Sequence, residues 1–286
     1  MKAAAFDYIK VGTVNEALSL LTQHAGSAQI LAGGQSLMAM MNLRLAQPEL
    51  LIDISGIDDL KGIQLQGSVL RIGALTTHHA ILQSELVARH VPLLAQAVPH
   101  VAHLAIRNVG TIGGSLALAD PAAEYPAVAL ALNATIVAQG PKGERRIPIG
   151  DYFKGLYQTA LLPDELLVAV EMPVAQPGQR FHFDELSRRR GDYAMVGLGC
   201  VINMNANQVH DARIALLAVG DGPVLATQAM AALAGQTLDD ATVQAAQQAL
   251  ARDLNPNGDL QSDPATKIHL ARVLLGRALN ALRSAS

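Results

Sequence analysis

The hydrophobic and polar positions of this 286-residue chain change period twice, and the changes divide it into three stretches. In the first, Thr13-Val14-Asn15-Glu16 has the spacing of a capping box, in which hydroxyl and carboxylate each satisfy a free backbone N–H. Val14, Ala17, Leu18 and Leu21 recur at helical spacing, and Gly26 suits the stop. A short apolar run over 29–32 reads as a strand that breaks into Gly33-Gly34-Gln35-Ser36. A second helix starts at Leu37, and Leu50-Leu51-Ile52-Asp53-Ile54 reads as another strand. Residues 1–57 are thus expected to form a small αβ unit in which a strand feeds a glycine turn.

From Gly62 the period shortens. Ile63-Gln64-Leu65 and Val69-Leu70-Arg71-Ile72 flank Gln66-Gly67-Ser68, which predicts a hairpin. Helical spacing covers 76–105 with breaks at Pro92 and Pro99, and a glycine-rich passage follows over 108–115. An Ala-rich helix is expected over 121–132, with strands over 135–138 and 165–170. Pro173, Pro177 and Gly178 mark a linker that separates 58–175 from 176–286. The last stretch predicts three strands (180–185, 194–203, 212–219) and then three helices (226–233, 239–251, 264–282). Ser262 and Asp263 are cap candidates for the final helix, and Pro264 lies in its first turn.

Composition narrows the function classes. Half of the residues are apolar and 16% are charged, a composition that buries a core. Twenty-one basic against 24 acidic residues leave a net charge of −3, no footprint for nucleic acid or an anionic membrane. No window approaches the ~20 apolar residues that span a bilayer. Met1-Lys2-Ala3-Ala4-Ala5-Phe6-Asp7-Tyr8 lacks the apolar centre of a secretion signal, so a cytoplasmic protein is expected. Cys200 is the single cysteine, which excludes an internal disulfide and an iron–sulfur cluster held by this chain alone.

Two segments could carry chemistry. Ala32-Gly33-Gly34-Gln35-Ser36 and Thr111-Ile112-Gly113-Gly114-Ser115 share a pattern: paired glycines, then a serine. Without Cβ atoms, consecutive N–H groups can face one anion, and the hydroxyls add donors. Two such loops suit a pyrophosphate gripped from both sides. Neither matches Gly-x-Gly-x-x-Gly or the Gly-Lys-Ser/Thr phosphate loop. Each could also be a plain tight turn.

The stretch Ala32-Gly33-Gly34-Gln35-Ser36-Leu37 resembles the first flavin-binding loop of the FAD-carrying medium subunits of molybdenum hydroxylases, the xanthine dehydrogenase and aerobic carbon monoxide dehydrogenase family. The long run from Arg107-Asn108-Val109-Gly110 through Asp120-Pro121-Ala122-Ala123-Glu124 resembles its second loop. Leu186-Ser187-Arg188-Arg189-Arg190-Gly191-Asp192-Tyr193-Ala194 resembles the opening of its C-terminal domain.

The resemblance implies an α+β fold: a two-lobed FAD-binding domain of the vanillyl-alcohol-oxidase (PCMH) type, then a three-stranded antiparallel sheet with a helical bundle. It implies FAD as cofactor, held by Leu31, Ala32, Gly33, Gly34, Gln35, Ser36 and Leu37 from the first loop. Asn108, Thr111, Ile112, Gly113, Gly114 and Ser115 would serve from the second. Asp120 would lie toward the ribityl side, with Glu124 near it, Leu161 or Leu162 at the flavin end and Tyr193 approaching the ring. Asp120 and Glu124, four apart near a helix start, can equally complement its dipole, and for Glu124 that capping role is favoured over catalysis. No catalytic acid or base is expected from this chain.

The same resemblance implies a large molybdopterin-binding partner, where substrate is oxidised, and a small partner with [2Fe–2S] clusters. The complex would be a dimer of heterotrimers, a heterohexamer, delivering electrons to an external acceptor. Two other readings stand beside this one: a self-contained FAD-dependent oxidoreductase, and a partner-binding subunit that has lost FAD. His78-His79 and His100/His103 lack a third ligand at metal spacing, so no metal site is expected. Arg188-Arg189-Arg190 reads as a solvated turn. Met38, Met40 and Met41 are expected behind the first loop, and Cys200 as a small buried hydrophobe.

Overall fold

In the computed structural model, which describes residues 2–24, 26–205, 207–260 and 262–284, the chain builds three principal sheets in succession. The first comes from β1 (Asp7–Lys10), α1 (Val14–Gln23), β2 (Ala28–Leu31), α2 (Leu37–Asn42) and β3 (Leu50–Asp53). Both β1 and β2 run parallel to the central β3. The capping box at α1 forms, with the Thr13 hydroxyl accepting from the Glu16 N–H and the Glu16 carboxylate accepting from the Thr13 N–H. Ala17, Leu18 and Leu21 face inward. Strand β1 was not expected; its burial pattern is exposed throughout, so no alternation announces it.

The second sheet is antiparallel, in the order β4-β5-β10-β6-β7. The predicted hairpin is β4 (Ile63–Gln66) and β5 (Val69–Gly73), turning at Gly67 with φ +59°. Six helices precede the next strand, the first five being α3 (His78–Leu82), α4 (Glu85–His90), α5 (Pro92–Ala97), α6 (Leu104–Arg107) and α7 (Ile112–Leu118). The helical stretch expected over 76–105 is therefore four short helices. Pro92 opens α5 at its first position, where the missing N–H is harmless. Next, α8 (Glu124–Ala131) starts three residues later than expected, because Asp120 makes a turn of its own.

Strands β6 (Thr135–Gly140), β7 (Gly143–Pro148), a small ribbon of β8 (Phe153–Gly155) and β9 (Gln158–Thr159), and β10 (Leu166–Pro173) follow. The polar edge strand β7 was also not expected. The third sheet is β11 (Gln179–Leu186), β12 (Val196–Asn205), β13 (Gln208–Leu217) and the two-residue β14 (Val224–Leu225). That makes it four-stranded rather than three-stranded, the extra strand being too short to leave a pattern. Helices α9 (Thr227–Leu233), α10 (Asp240–Leu250) and α11 (Pro264–Ser284) close the chain. Asp263 caps the last, accepting from the Thr266 N–H at 2.7 Å, whereas the Ser262 hydroxyl is buried without a partner.

Three cores result. Helix α1 and the first sheet pack on one face of the second sheet through Val137, Leu166, Val168 and Ala169. The other face covers α5, α7 and α8, and those helices pack in turn on the third sheet through Phe183, Val201, Ala215 and Leu217. Helix α8 is buried from Tyr125 to Ala131 and apolar all round, as a helix enclosed on every side must be. Strand β12 shows the division by alternation. Val196, Leu198, Cys200 and Ile202 face α9–α11. Gly199 faces Leu93 and Ala131, leaving room for α5 and α8 to approach. Cys200 is fully buried, and burial raises its thiol to about 12.

Candidate functional site

The two glycine segments meet. A Cβ on Gly33 would stand 2.4 Å from the Val109 carbonyl oxygen and 2.8 Å from the Gly110 Cα. The first loop thus rests directly on the backbone leading into the second. Gly34 has φ +69°, the left-handed region that glycine enters without a steric cost, and this turns the chain from β2 into α2. The amides of Gly33, Gly34, Gln35 and Ser36 donate to no protein acceptor among the described residues, while the Gln35 side-chain amide bonds the Gly33 carbonyl at 2.9 Å. Successive unpaired N–H groups on a turn make a concavity for an anion. Behind the loop Met41 is buried and Met38 touches Gly34.

The second segment is built differently. It is the start of α7, with Thr111 as N-cap accepting from the Gly114 N–H at 3.1 Å. The Ile112 N–H goes to the Thr76 carbonyl at 3.1 Å, that of Gly113 to Ala74 at 2.9 Å, and that of Ser115 to Thr111 at 3.1 Å. A Cβ on Gly113 would lie 2.6 Å from that of Ala74, so this glycine serves close packing. Gly114 is exposed, lacks a positive φ, and would bring its Cβ only to the Thr111 hydroxyl, at 3.0 Å. The expectation that both segments present free backbone N–H groups therefore needs correction, because only the first does. The second offers side chains, since the Ser115 hydroxyl and Asn108 amide have no protein partner among the described residues.

This second segment is held from behind. His78 packs edge-on against Tyr125 with ring centroids 5.2 Å apart, and a Cβ on Gly110 would stand 2.7 Å from its Nε2. Burial, then the Arg107 charge, lower His78 to about 4, which keeps it neutral. Arg107 donates to the carbonyls of Val101 at 2.8 Å and Ala102 at 2.7 Å, fixing the approach to Asn108. Among the described residues no group of three or more His, Cys, Asp or Glu is placed to hold a metal ion.

Past its last turn, α7 is capped at Ala119 and Asp120 is buried, its Oδ1 accepting from the Ala122 N–H at 2.9 Å. Asp120 and Glu124 are thus separated by a turn instead of sharing a helix. Glu124 is the first residue of α8. Burial, then the Glu185 charge, raise its carboxyl to about 8. Tyr193, 62% exposed, and Tyr157 both face Asp120. The Tyr193 ring is open to solvent, but partial desolvation of its hydroxyl end, then the Asp120 charge, raise the phenol. Leu162 is exposed, and Leu161 packs into the core.

Tyr157 was not singled out from the sequence. Tyr157 stands exposed at φ +55° in the turn between β8 and β9, a backbone state without a readable sequence signal. What the geometry brings together is a turn of unpaired amides seated against the segment leading into α7 and, past the end of α7, a buried carboxylate near exposed tyrosines. That distribution fits a dinucleotide with a planar ring, such as FAD.

Residues 4–175 match the family model of the FAD-binding domain in molybdopterin dehydrogenase, and residues 181–282 match the CO dehydrogenase flavoprotein C-terminal domain. The chain belongs to this family of FAD-binding oxidoreductase subunits. Within it, the likeness is to medium chains of heteromeric molybdenum hydroxylases. The chain is 38% identical over 276 residues to the carbon monoxide dehydrogenase medium chain of Hydrogenophaga pseudoflava, covering 96% of each. It is 37% identical over 280 residues to the alpha subunit of the 6-hydroxypseudooxynicotine dehydrogenase complex of Paenarthrobacter nicotinovorans, covering 98% of this chain and 95% of the relative. A solved carbon monoxide dehydrogenase from H. pseudoflava contains a chain that superposes with a TM-score of 0.97 at 39% identity, over the whole of both chains. No helix among the described residues is long and apolar enough to cross a membrane.

Proposed function

We propose that this chain is the electron-exit subunit of a molybdenum hydroxylase, taking electrons from [2Fe–2S] clusters of a small partner and passing them to an external acceptor. Substrate would be oxidised on a large molybdopterin-binding partner, in a dimer of heterotrimers located in the cytoplasm. The observation that carries the reading is the run of unpaired amides from Gly33 to Ser36, seated against the second glycine segment in a chain alike from end to end to medium chains. When bound, FAD supplies the redox chemistry, and the protein supplies its binding, orientation and tuning.

The residues divide the work. The amides of Gly33, Gly34, Gln35 and Ser36 hold the pyrophosphate, and Leu31, Ala32 and Leu37 set the ends of that turn. Thr111, Ser115 and Asn108 add side-chain donors, while Ile112, Gly113 and Gly114 give the second wall its shape. Asp120 orients Tyr157 and Tyr193 at the ring end, with Leu161 and Leu162 supplying apolar contact. The boundaries 1–57, 58–175 and 176–286 separate the two lobes and the C-terminal domain, each with its own principal sheet.

The test uses the assembled complex. Denaturation should release FAD and not FMN, since FMN lacks the pyrophosphate that the first loop holds. A Gly34→Val complex should lose FAD and steady-state reduction of the acceptor, yet substrate added anaerobically should still bleach the clusters. Clusters that fail to bleach, at normal molybdenum and iron content, would mean that this subunit takes part in substrate oxidation. A self-contained oxidoreductase would instead reduce its acceptor without any partner.

A further inference from the structure

Lys267 of α11 is a buried lysine, 6% exposed, for which the binding roles above have no use. Its Nζ donates to the Ala218 carbonyl at 2.9 Å and pairs with Asp259 Oδ2 at 2.8 Å. Ala218 directly follows β13 and holds φ +62°, the left-handed region that an alanine enters only at a cost. The Ala218 N–H donates to the Pro121 carbonyl at 2.8 Å, across the boundary between the two matched domains. Pro121 is the second residue of the Asp120 turn. In that turn Asp120 Oδ1 accepts from the Ala122 N–H at 2.9 Å, and the Asp120 carbonyl accepts from the Ala123 N–H at 3.1 Å. Hydrogen bonds through a single residue, Ala218, therefore join Lys267 to the turn that carries Asp120.

We propose that Lys267 is a positioning residue for the flavin end of the site, acting through Ala218 on the Asp120 turn. The proposal rests on the FAD reading above, in which Asp120 lies at the ring end. Lys267 belongs to the helices of the C-terminal domain and Asp120 to the FAD-binding domain, so one domain sets the geometry of a group in the other.

Two observations set this apart from ordinary domain packing. A lysine loses hydration on burial, and an apolar side chain of similar length would pack α11 with less penalty, so a buried lysine answers to a partner that only a donor can hold. Here that partner is the carbonyl of a buried residue in the left-handed region. The boundary is also tied by a separate device. Arg213 of β13 donates to the Leu130 carbonyl at 2.8 Å and to that of Ala131 at 3.2 Å, in the last turn of α8. Strand β13 and the residue after it thus hold α8 beyond both ends, and only the Ala218 end reaches the Asp120 turn. Without Nζ, the Ala218 carbonyl is left buried and unpaired by Lys267. Ala218 then gains by leaving the left-handed region, which withdraws its N–H from Pro121.

The experiment measures FAD affinity in the full chain and the flavin midpoint potential in the assembled complex. Lys267→Met keeps the length of the side chain and removes the donor. It should weaken FAD binding by about tenfold, the size of one lost buried hydrogen bond, and move the potential in the same direction as Asp120→Ala does. In an Asp120→Ala background the same substitution should change affinity by less than about twofold, because the group it positions is gone. Ala218→Gly, which opens the left-handed region without a Cβ, should restore most of the binding lost in Lys267→Met. Arg213→Met loosens the same boundary at the other end of α8 and should leave the potential at its wild-type value. Unchanged affinity in Lys267→Met, effects additive with Asp120→Ala, or an equal shift of potential in Arg213→Met would each overturn the proposal. Should Lys267→Met fail to fold, the wild-type chain decides. Coupling is reciprocal, so FAD must raise the hydrogen-exchange protection of the Ala218 amide, and unchanged protection overturns the positioning role. A wild-type complex that contains no FAD at all would instead overturn the functional reading.

Discussion

Ala32–Ser36 and Thr111–Ser115 carry nearly the same string of residue types, yet the fold uses them in opposite ways. In the first, the glycines free the backbone: Gly34 sits at φ +69°, and four successive amides are left without a protein partner. In the second, the glycines let backbone approach backbone: Gly113 lies against Ala74, and every amide from Ile112 to Ser115 is occupied. One segment is a receptor and the other is the wall that holds it in place, since Gly33 leans on Val109 and Gly110. A shared motif records a shared need for missing Cβ atoms, and the reason for that need is set by the neighbours.

The largest contrast should appear in amide hydrogen exchange. Without FAD, the amides of Gly33 to Ser36 should exchange fast and become strongly protected on binding, whereas those of Ile112 to Ser115 should be protected in both states. Equal behaviour of the two segments would abolish the distinction. Next in size is Gly113→Ala, whose new methyl meets Ala74 backbone. Thermal unfolding of the FAD-free chain should show a loss of about 1–3 kcal/mol, as for overpacked cores.

Gly34→Ala forces a Cβ into the left-handed region. It should cost about 1 kcal/mol in the FAD-free chain and weaken FAD binding as well, a combination that calorimetry can separate. The pH response sharpens the comparison further. His78 is buried neutral behind the second segment, with its proton affinity lowered from 6.5 to about 4. The unfolded chain therefore binds its proton first, so the stabilisation is complete above pH 6.5 and is lost as pH falls through the window down to 4. Exchange protection of Ile112 to Ser115 should decline over that window while the first loop does not respond, and His78→Phe should remove the decline. The smallest effect belongs to Gly114→Ala, exposed and free of positive φ. A stability change within about 0.5 kcal/mol is expected from chemical denaturation.

Much of the architecture was legible because it follows period and punctuation. The capping box at Thr13, the turn at Gly67 and the apolar strands β3, β10 and β12 stand where the sequence places them. Strands β1, β7 and β14 were not legible. The first two are polar edges with little to bury, and the third is two residues long. In the site, the glycines and hydroxyls could be named from their residue types, but Tyr157 could not, because it comes from a turn far along the chain at φ +55°.

The sequence by itself determined the order and kind of the main elements, which depend on local spacing and residue type, and its motifs carried the resemblance to the family through which FAD is implied. The tertiary structure alone decided which glycine segment keeps its amides free, and that the Glu124 carboxyl is raised by burial and by the Glu185 charge. Both facts depend on what lies across a packed boundary. A hydrogen bond is spent or left open, and a carboxyl is charged or neutral, according to groups far away in the chain that folding brings within a few ångströms.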